Sequence, residues 1–389
     1  MSDPVDRILN ALRTVLPAGQ GPIGLHEPEF GPTERAYVLD CIDSTFVSSV
    51  GKYVDRFEKM LCDYTGAKRA IAVMNGTAAL HIALEVAGVQ PGDEVLVPTL
   101  TFIATANAVR YCGATPHFVD SEITTLGLDP AKLDHGLREI AEVAGGQCRN
   151  KRTGARIAAI VPMHTFGHPV NLEKLLEVAA RWKIPVIEDA AESLGSFYQG
   201  KHTGRFGIMG TLSFNGNKTI TTGGGGAVIT DDEALGDRLK HLTTTAKVKH
   251  AWAFAHDAVG YNYRMPNLNA ALGCAQLERL TTFIAEKRAL AHRYRDVFAS
   301  NPDVAFVDEP LHSQSNFWLN ALLLHADKAS LLSDLLERTN AAGIGTRPIW
   351  TPMHMLQIYA DCPRMDVSVA EDIGRRLINI PSSARLGRA

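Results

Sequence analysis

The sequence lacks the features that mark several large classes of protein. Its six cysteines are widely spaced and form no CxxC pair, which argues against a zinc site or a disulfide framework. No run of about eighteen apolar residues occurs, so no membrane-spanning helix is predicted. The formal net charge is −3 with both signs dispersed, and no basic block predicts a nucleic-acid surface. The first sixteen residues are too weakly apolar for a signal peptide, so we expect a soluble cytoplasmic protein.

Short apolar runs alternate with helical patterns over the first two thirds of the chain. Strands are predicted at 69–75, 93–98, 115–120, 155–163, 183–190, 211–214 and 226–230, with helices at 76–89, 101–113 and 171–182. This alternation predicts βαβ units and a mostly parallel sheet. A chain of 389 residues is too long for one small core. We therefore predict an N-terminal helix (5–16) and linker (17–24) within 1–24, a large α/β domain at 25–250, and a small C-terminal α+β domain at 251–389 that includes a long helix at 267–300.

Polar residues that follow the predicted strands are candidates for a ligand site, because ligands of open α/β sheets bind beyond the carboxyl ends of the strands. Gly76 and Thr77 open a helix, where free N–H groups and a hydroxyl suit a phosphate, although an ordinary helix cap is the alternative. Asp189 ends a buried strand, and a buried carboxylate needs a partner. No metal-ligand spacing accompanies Asp189, so no metal site is expected.

The segment SFNGNKTITTGGGG (213–226) places Lys218 just before four glycines. In the phosphate-binding loop of NTPases the glycines precede the lysine, so that interpretation fits poorly. A lysine at the end of a buried strand fits Schiff-base chemistry better. The glycines can turn the chain tightly and let the backbone pass close to a flat ligand.

Five motifs occur in an order and with spacings that resemble the DegT/DnrJ/EryC1/StrS sugar aminotransferases. They are Asn75-Gly76-Thr77, Thr101-Phe102, the segment EDAAES (188–193), Ser213-Phe214 with Lys218 and 223–226, and the segment GYNYRM (260–265). The resemblance runs from about residue 25 to the end. It implies the aspartate aminotransferase-like fold of the fold-type I pyridoxal-phosphate enzymes, which in this family place an amino group on a nucleotide-linked keto-sugar.

The resemblance also implies roles for single residues. Lys218 would bind pyridoxal phosphate covalently, and Asp189 would pair with the pyridine nitrogen, which makes the ring an electron sink. Phe102 would stack on the ring, with a core aromatic as its alternative. Glu192 stands where the family often has glutamine, near the ring oxygen. The residues that would hold the phosphate are Gly76, Thr77 and Ser213.

Two further positions bear on assembly and on the glycine loop. Asn262 matches a residue that reaches the phosphate from the neighbouring subunit, which implies a homodimer with shared active sites; a loop asparagine is the alternative. Gly224 stands where the family usually has an acidic residue, and the sequence offers no physical account of that change.

The substrate follows from a narrower resemblance. Residues 25–30 and 41–58 are similar to the LegC-type enzymes, which aminate C4 of UDP-linked 4-keto-6-deoxy-N-acetylhexosamines for bacterial surface sugars such as legionaminic acid. The alternatives are a perosamine-type enzyme acting on GDP-4-keto-6-deoxymannose and a dehydratase with the same cofactor. Dehydratases of the family have histidine at the lysine position, so Lys218 favours amino transfer. A regulator with this fold would usually carry an added DNA-binding module, for which the chain has no room.

The expected amino donor is L-glutamate, with pyridoxamine phosphate as the amino-carrying form of the cofactor. Residues predicted to contact the nucleotide sugar are Ser48, Ser49, His164, His168, Arg347, Trp350 and His354. For the two histidines that follow the strand at 155–163, structural polar residues at a turn are the alternative. For Arg347 the alternative is a solvated surface side chain.

Overall fold

A computed structural model describes residues 3–17 and 21–388 of the chain. The α-helices are α1 (Pro4–Val15), α2 (Pro32–Asp43), α3 (Lys52–Thr65), α4 (Gly76–Val86), α5 (Ile103–Tyr111), α6 (Pro130–Ile140), α7 (Leu172–Trp182), α8 (Glu233–Thr243), α9 (Asn267–Phe298), α10 (Leu332–Ala341) and α11 (Ser368–Gly374). The predicted linker at 17–24 includes residues 18–20, which lie outside the described residues.

The β-strands are shorter and more numerous than the helices. They are β1 (Arg69–Val73), β2 (Glu94–Pro98), β3 (Thr115–Val119), β4 (Ala141–Ala144), β5 (Gln147–Asn150), β6 (Ile157–Ile160), β7 (Ile187–Asp189), β8 (Phe197–Tyr198), β9 (Lys201–His202), β10 (Met209–Ser213), β11 (Gly226–Thr230), β12 (Val304–Phe306), β13 (Ser313–Gln314), β14 (Asn320–Leu324), β15 (Arg347–Pro348) and β16 (Leu377–Ile380).

Seven strands form the central sheet. Two hydrogen-bonded groups, β3-β2-β6 and β7-β10-β11-β1, are joined by bridges between Ile160 and Val186 and between Met163 and Asp189. Strand β11 runs antiparallel to both β1 and β10, while the pairs β2–β3, β2–β6 and β7–β10 are parallel. The predicted mostly parallel sheet is therefore confirmed, with β11 as the reversed strand.

Helices cover both faces of this sheet. On one face the nearly all-apolar α4 packs with α5 against β1, β2 and β6, and α4 is buried from Ala78 to Leu84. On the other face α3 and the first half of α9 pack against β10 and β11 through Phe57, Phe214 and Ala271. The sheet is thus covered on both sides, as its continuous apolar strands require.

The C-terminal part of the chain forms a second core. The sheet β12-β14-β16-β15 packs against the second half of α9, α10 and the N-terminal helix α1. Helix α1 begins at Pro4, is capped by Asp3, and buries Val5, Ile8 and Leu12 at helical spacing. The predicted division into three segments remains a prediction, but α1 packs with the C-terminal core although it lies at the other end of the chain.

Several elements were not predicted from the sequence, among them helices α2, α3, α6 and α8 and the hairpin of β4 and β5. Helix α6 follows β3, and a mostly exposed hairpin of β4 and β5 turns at Gly145 and Gly146, both with positive φ. Because little of this hairpin is buried, its sequence lacks the alternation of apolar and polar residues that predicts a strand. Among the helices that the structure describes, none is both long enough and apolar enough to cross a membrane.

Candidate active site

Several of the predicted functional residues follow adjacent strands of the central sheet. Asp189 is the last residue of β7, and Ser213 is the last residue of β10, five positions before Lys218. The register places Asp189 beside Thr211 of β10, and Ser213 beside Gly226 of β11. The carboxyl ends of β7 and β10 therefore carry an acid and a lysine within one region of the sheet edge.

Asp189 is a buried carboxylate without a cationic partner among the described residues. Its Oδ2 accepts a 2.7 Å hydrogen bond from the Thr105 hydroxyl, and its Oδ1 accepts a 3.2 Å bond from the N–H of Ala191. Burial raises the pKa of Asp189, while these bonds and the charge of Lys218 act in the opposite direction. Two donors hold this carboxylate in place, and no cation in the described part of the chain pairs with it. It can therefore accept a hydrogen bond from a protonated ring nitrogen.

Lys218 is held by a carboxylate and an aromatic ring. Its Nζ lies 3.1 Å from Oε1 of Glu192 and 3.9 Å from the centroid of the Trp318 ring. The indole N–H of Trp318 donates a 2.6 Å hydrogen bond to the carbonyl of Asn217, which fixes the ring against the lysine loop. The Lys218 side chain keeps 13% of its exposure, so its nitrogen is largely withdrawn from water yet open on one side.

Glu192 is held by two hydrogen bonds besides its ion pair with Lys218. Its Oε2 accepts a 2.9 Å hydrogen bond from the N–H of Phe166, and its backbone carbonyl accepts a 2.9 Å bond from Nδ2 of Asn316. Phe166 has φ 56°, a left-handed conformation that is strained for an aromatic residue and that aims its N–H at the carboxylate. Burial raises the pKa of Glu192 to about 7, with the Lys218 ammonium opposing that rise.

The start of α4 forms a cradle for an anion. Asn75 caps the helix and accepts a 2.8 Å hydrogen bond from the N–H of Ala78, which leaves the N–H groups of Gly76 and Thr77 at the helix end. A Cβ on Gly76 would lie 2.9 Å from Cβ of Ser213, so this turn lies directly against the end of β10. A helix N-terminus with an adjacent serine and threonine hydroxyl suits a phosphate.

The four-glycine run has distinct requirements at each position. Gly223 has φ 79°, and a Cβ on Gly226 would lie 2.5 Å from the carbonyl carbon of Asn75. A Cβ on Gly225 would lie 2.2 Å from Oγ1 of Thr222, whereas one on Gly224 would meet nothing within 4 Å. Three of the glycines are therefore required by backbone conformation or by space, and Gly224 is not.

The predicted ring-stacking residue is partly exposed. Phe102 immediately precedes α5, which begins two residues later than the predicted helix at 101–113, and its side chain keeps 50% of its exposure. Its ring centroid lies 6.4 Å from that of Trp350, which itself lies 5.3 Å from the Phe166 ring. The exposure argues against the core-aromatic alternative, and Trp350 is brought to the same region.

The histidines predicted to contact the sugar lie inside the protein. His164 is fully buried; its Nε2 lies 3.0 Å from Glu188, and its Nδ1 accepts the N–H of Val170. His168 is also fully buried, without a hydrogen-bond partner, and burial lowers its pKa to about 4. These positions favour the alternative that both are structural residues at a turn.

The remaining predicted substrate residues are not drawn together around Lys218. His354 is buried between Thr99, 2.7 Å from its Nδ1, and Glu371, 3.1 Å from its Nε2. Arg347 is exposed and donates to its own neighbours within the C-terminal part of the chain. Exposed or half-exposed loop positions are also occupied by Ser48, Ser49 and Asn262. Their roles stay predictions.

Three residues of the site were not predicted. Thr105 lies in the first turn of α5, and its hydroxyl lies 2.9 Å from that of Thr101, which precedes the helix. Trp318 lies a hundred positions after Lys218, and no local sequence pattern predicts that it belongs to the site. His26 lines a small cavity with Lys218, and both its ring nitrogens are buried without a partner.

The arrangement fits pyridoxal phosphate on features of the chain itself. The α4 cradle suits the phosphate, the unpaired carboxylate of Asp189 suits the ring nitrogen, and the Lys218 amine suits the aldehyde. Within residues 3–17 and 21–388, no three His, Cys, Asp or Glu side chains form a group that could hold a metal ion.

Comparisons with known proteins give the family and the fold. The profile of the DegT/DnrJ/EryC1/StrS aminotransferase family matches residues 28–389. A GDP-perosamine synthase of Caulobacter vibrioides is 39% identical over 373 residues, which cover 94% of this chain and 95% of the relative. A second GDP-perosamine synthase, from Escherichia coli O157:H7, is 38% identical over 367 residues, which cover 92% and 93%. The solved structure of the aminotransferase TlmJ from Streptoalloteichus hindustanus is 26% identical, with a TM-score of 0.83 and coverage of 93% and 94%. The predicted fold is confirmed.

Proposed function

The chain belongs to the DegT/DnrJ/EryC1/StrS aminotransferase family, and we propose that it transfers an amino group from L-glutamate to C4 of GDP-4-keto-6-deoxymannose. It is a pyridoxal-phosphate-dependent sugar aminotransferase. The observation that supports GDP is the similarity to two GDP-perosamine synthases along nearly the whole of each chain. UDP-4-keto-6-deoxy-N-acetylhexosamine is the second candidate, supported by the LegC-like segments at 25–30 and 41–58.

The cofactor, when bound, supplies an electron-withdrawing ring that accepts the electrons released as a proton leaves the donor's α-carbon. Lys218 would be the base for that proton, because its amine lies against the Glu192 carboxylate and its side chain keeps 13% of its exposure. Asp189, held by Thr105, keeps the ring nitrogen protonated. The α4 cradle orients the ring by its phosphate.

The same residues act in the second half of the reaction. Lys218 returns a proton when the amino group passes to the keto-sugar, so one amine serves both substrates in turn. Trp318 covers one side of this amine, and the Lys218 side chain keeps 13% of its exposure. A lysine that is partly desolvated and well oriented is suited to repeated proton transfer.

A mass-spectrometric assay tests the substrate. Purified chain saturated with pyridoxal phosphate is incubated with GDP-4-keto-6-deoxymannose or with UDP-4-keto-6-deoxy-N-acetylhexosamine, in the presence of ¹⁵N-labelled glutamate. We expect a labelled GDP-amino sugar and an equal amount of 2-oxoglutarate. If labelled product formed from the UDP sugar and none formed from the GDP sugar, the GDP assignment would be rejected. A dehydrated sugar formed without glutamate would reject amino transfer. Lys218→Ala is the inactive control.

We also propose that the enzyme is a homodimer with shared active sites. Large apolar side chains are exposed on two segments, α2 with the loop that follows it and residues 248–259, which lead to Asn262. They are Leu39, Ile42, Phe46, Val47, Val50, Val248, Trp252, Phe254 and Val259. Large apolar side chains exposed in this number support a protein interface, and a second copy of the chain is the partner that shared sites require.

Mixed dimers test the shared site. Lys218→Ala and Asn262→Ala are each expected to lower activity strongly, and in a mixed dimer one site would hold both native residues. Unfolding and refolding the two variants together should therefore restore activity above that of either alone. If Asn262 serves the Lys218 of its own subunit, mixing restores nothing. Light scattering of each variant checks that dimers form.

A further inference from the structure

The negative charge of the buried Glu192 carboxylate is stabilised by the ammonium of Lys218. The proposed function does not explain this ion pair. The buried carboxylate has two hydrogen-bond donors, the neutral N–H of Phe166 at 2.9 Å and the ammonium of Lys218 at 3.1 Å. Lys218 is the one cation within ion-pair distance of Glu192 among the residues that the structure describes. The other charged group that acts on it is Asp189, a carboxylate, which disfavours a second negative charge. The nearby Asn316 and Trp318 are uncharged.

Binding of the cofactor leaves this cation with far fewer hydrogens to donate. When the Lys218 nitrogen bonds to the aldehyde carbon, the aldehyde oxygen leaves as water with two of the three ammonium hydrogens. The one N–H that remains keeps the positive charge, and the cofactor's own ring oxygen, next to the aldehyde, competes with Glu192 for it. Glu192 then faces an oxygen where it had faced an ammonium. A buried carboxylate left beside another acceptor is strongly disfavoured.

We propose that Glu192 takes up one proton when the cofactor joins Lys218, and that the resulting neutral carboxyl donates its O–H to the cofactor's ring oxygen. The proposal rests on the proposed function in that Lys218 must carry the cofactor. The carboxyl has a pKa of about 7 before loading, because it is buried, so it is ready to change its protonation state at neutral pH. The Phe166 N–H, fixed by a left-handed backbone, continues to hold its second oxygen.

The proposal has a thermodynamic signature in cofactor affinity. A loaded state that holds one more proton than the free protein binds less tightly as pH rises, by up to about tenfold per pH unit above the pKa of the free carboxyl. Glu192→Gln supplies an amide N–H without titrating, so this part of the pH dependence should vanish. Below about pH 6 the free carboxyl is already protonated, and wild type and variant should respond to pH alike.

Calorimetry counts the protons directly. Pyridoxal phosphate is titrated into cofactor-free protein at pH 8 in buffers of different ionisation enthalpy, which gives the number of protons taken up per cofactor bound. We expect wild type to exceed Glu192→Gln by nearly one proton, and the difference to fall towards zero at pH 6. Glu278→Gln, which changes an exposed carboxylate on α9, should match wild type.

A second variant gives an independent measurement. In Lys218→Met the carboxyl has lost its cation beforehand and should already be neutral, so this variant too should take up about one proton fewer than wild type. Equal proton counts in wild type, Glu192→Gln and Lys218→Met, with normal binding, would overturn this inference and leave the proposed function standing. Failure of the wild type to bind pyridoxal phosphate would overturn both.

Discussion

Replacing Gly226 by alanine tests how tightly the strand ends hold the phosphate cradle. The added Cβ would lie 2.5 Å from the carbonyl carbon of Asn75, 2.6 Å from its oxygen and 2.7 Å from the nitrogen of Gly76. All three are backbone atoms, so no side chain can rotate away. An ordinary carbon contact is about 3.5–4.0 Å, so β11 and the start of α4 must separate by about 1 Å.

The expected cost is that of overpacking a rigid site, about 1–3 kcal/mol in the free energy of unfolding. The displaced groups include the Gly76 N–H, so cofactor affinity should fall as well. Gly224→Ala is the matched control, because its Cβ would meet nothing within 4 Å and its φ is not positive. We expect the control to change stability by less than about 0.5 kcal/mol.

Urea unfolding at one fixed protein concentration measures the stability, since the stability of the proposed homodimer would depend on concentration. Equilibrium dialysis measures cofactor binding. If Gly226→Ala unfolded at the same urea concentration as Gly224→Ala and bound the cofactor equally well, the inferred contact between β11 and α4 would be refuted.

Three further predictions concern single side chains. Lys218→Ala should abolish turnover and the covalent bond to the cofactor, seen as loss of borohydride-trapped label; transamination at the normal rate would reject its role. Thr105→Val removes the hydroxyl that donates to Asp189 and should weaken cofactor binding about tenfold or more by dialysis, as expected for a hydrogen bond to a charged group; unchanged affinity would contradict this. Burial lowers the pKa of Lys287 to about 7, whereas in the unfolded chain this lysine keeps its ordinary, higher pKa. Between these two pKa values the unfolded chain binds one more proton than the folded chain, so the free energy of unfolding should rise with pH. In urea unfolding, wild type should show this rise, about 1 kcal/mol per pH unit, and Lys287→Met should not. If the free energy of unfolding rose equally with pH in both, the lowered pKa of Lys287 would be contradicted.

The sequence predicted best the elements with a regular apolar pattern and the polar residues that come at the ends of buried strands. Strands and helices of the α/β layer are strongly apolar and regularly alternating, so most are found close to their predicted bounds. Lys218 and Asp189 follow buried strands, and the structure places both at the same edge of the sheet. Periodicity and strand order are enough for such positions, because the sheet fixes where its strand ends lie.

Long-range contacts could not be predicted in this way. Trp318 reaches Lys218 from the C-terminal part of the chain, and α1 packs beside α9 although nearly three hundred residues separate them. His164 shows the opposite difficulty: it follows a strand, as a site residue would, yet it is paired with buried Glu188. Sequence position indicates which edge of the sheet a residue occupies, but packing decides whether its side chain faces the cavity or the core.

The indole of Trp318 gives this protein a built-in optical reporter. Its ring lies 3.9 Å from the Lys218 ammonium and is anchored to the lysine loop by its N–H. A cofactor bonded to that nitrogen would put an absorbing ring beside the indole, where its emission is quenched by energy transfer. Fluorescence of the unlabelled enzyme should therefore follow cofactor arrival in real time, and Trp318→Phe should reduce the signal to the part that comes from the other tryptophans, Trp350 near Phe102 among them.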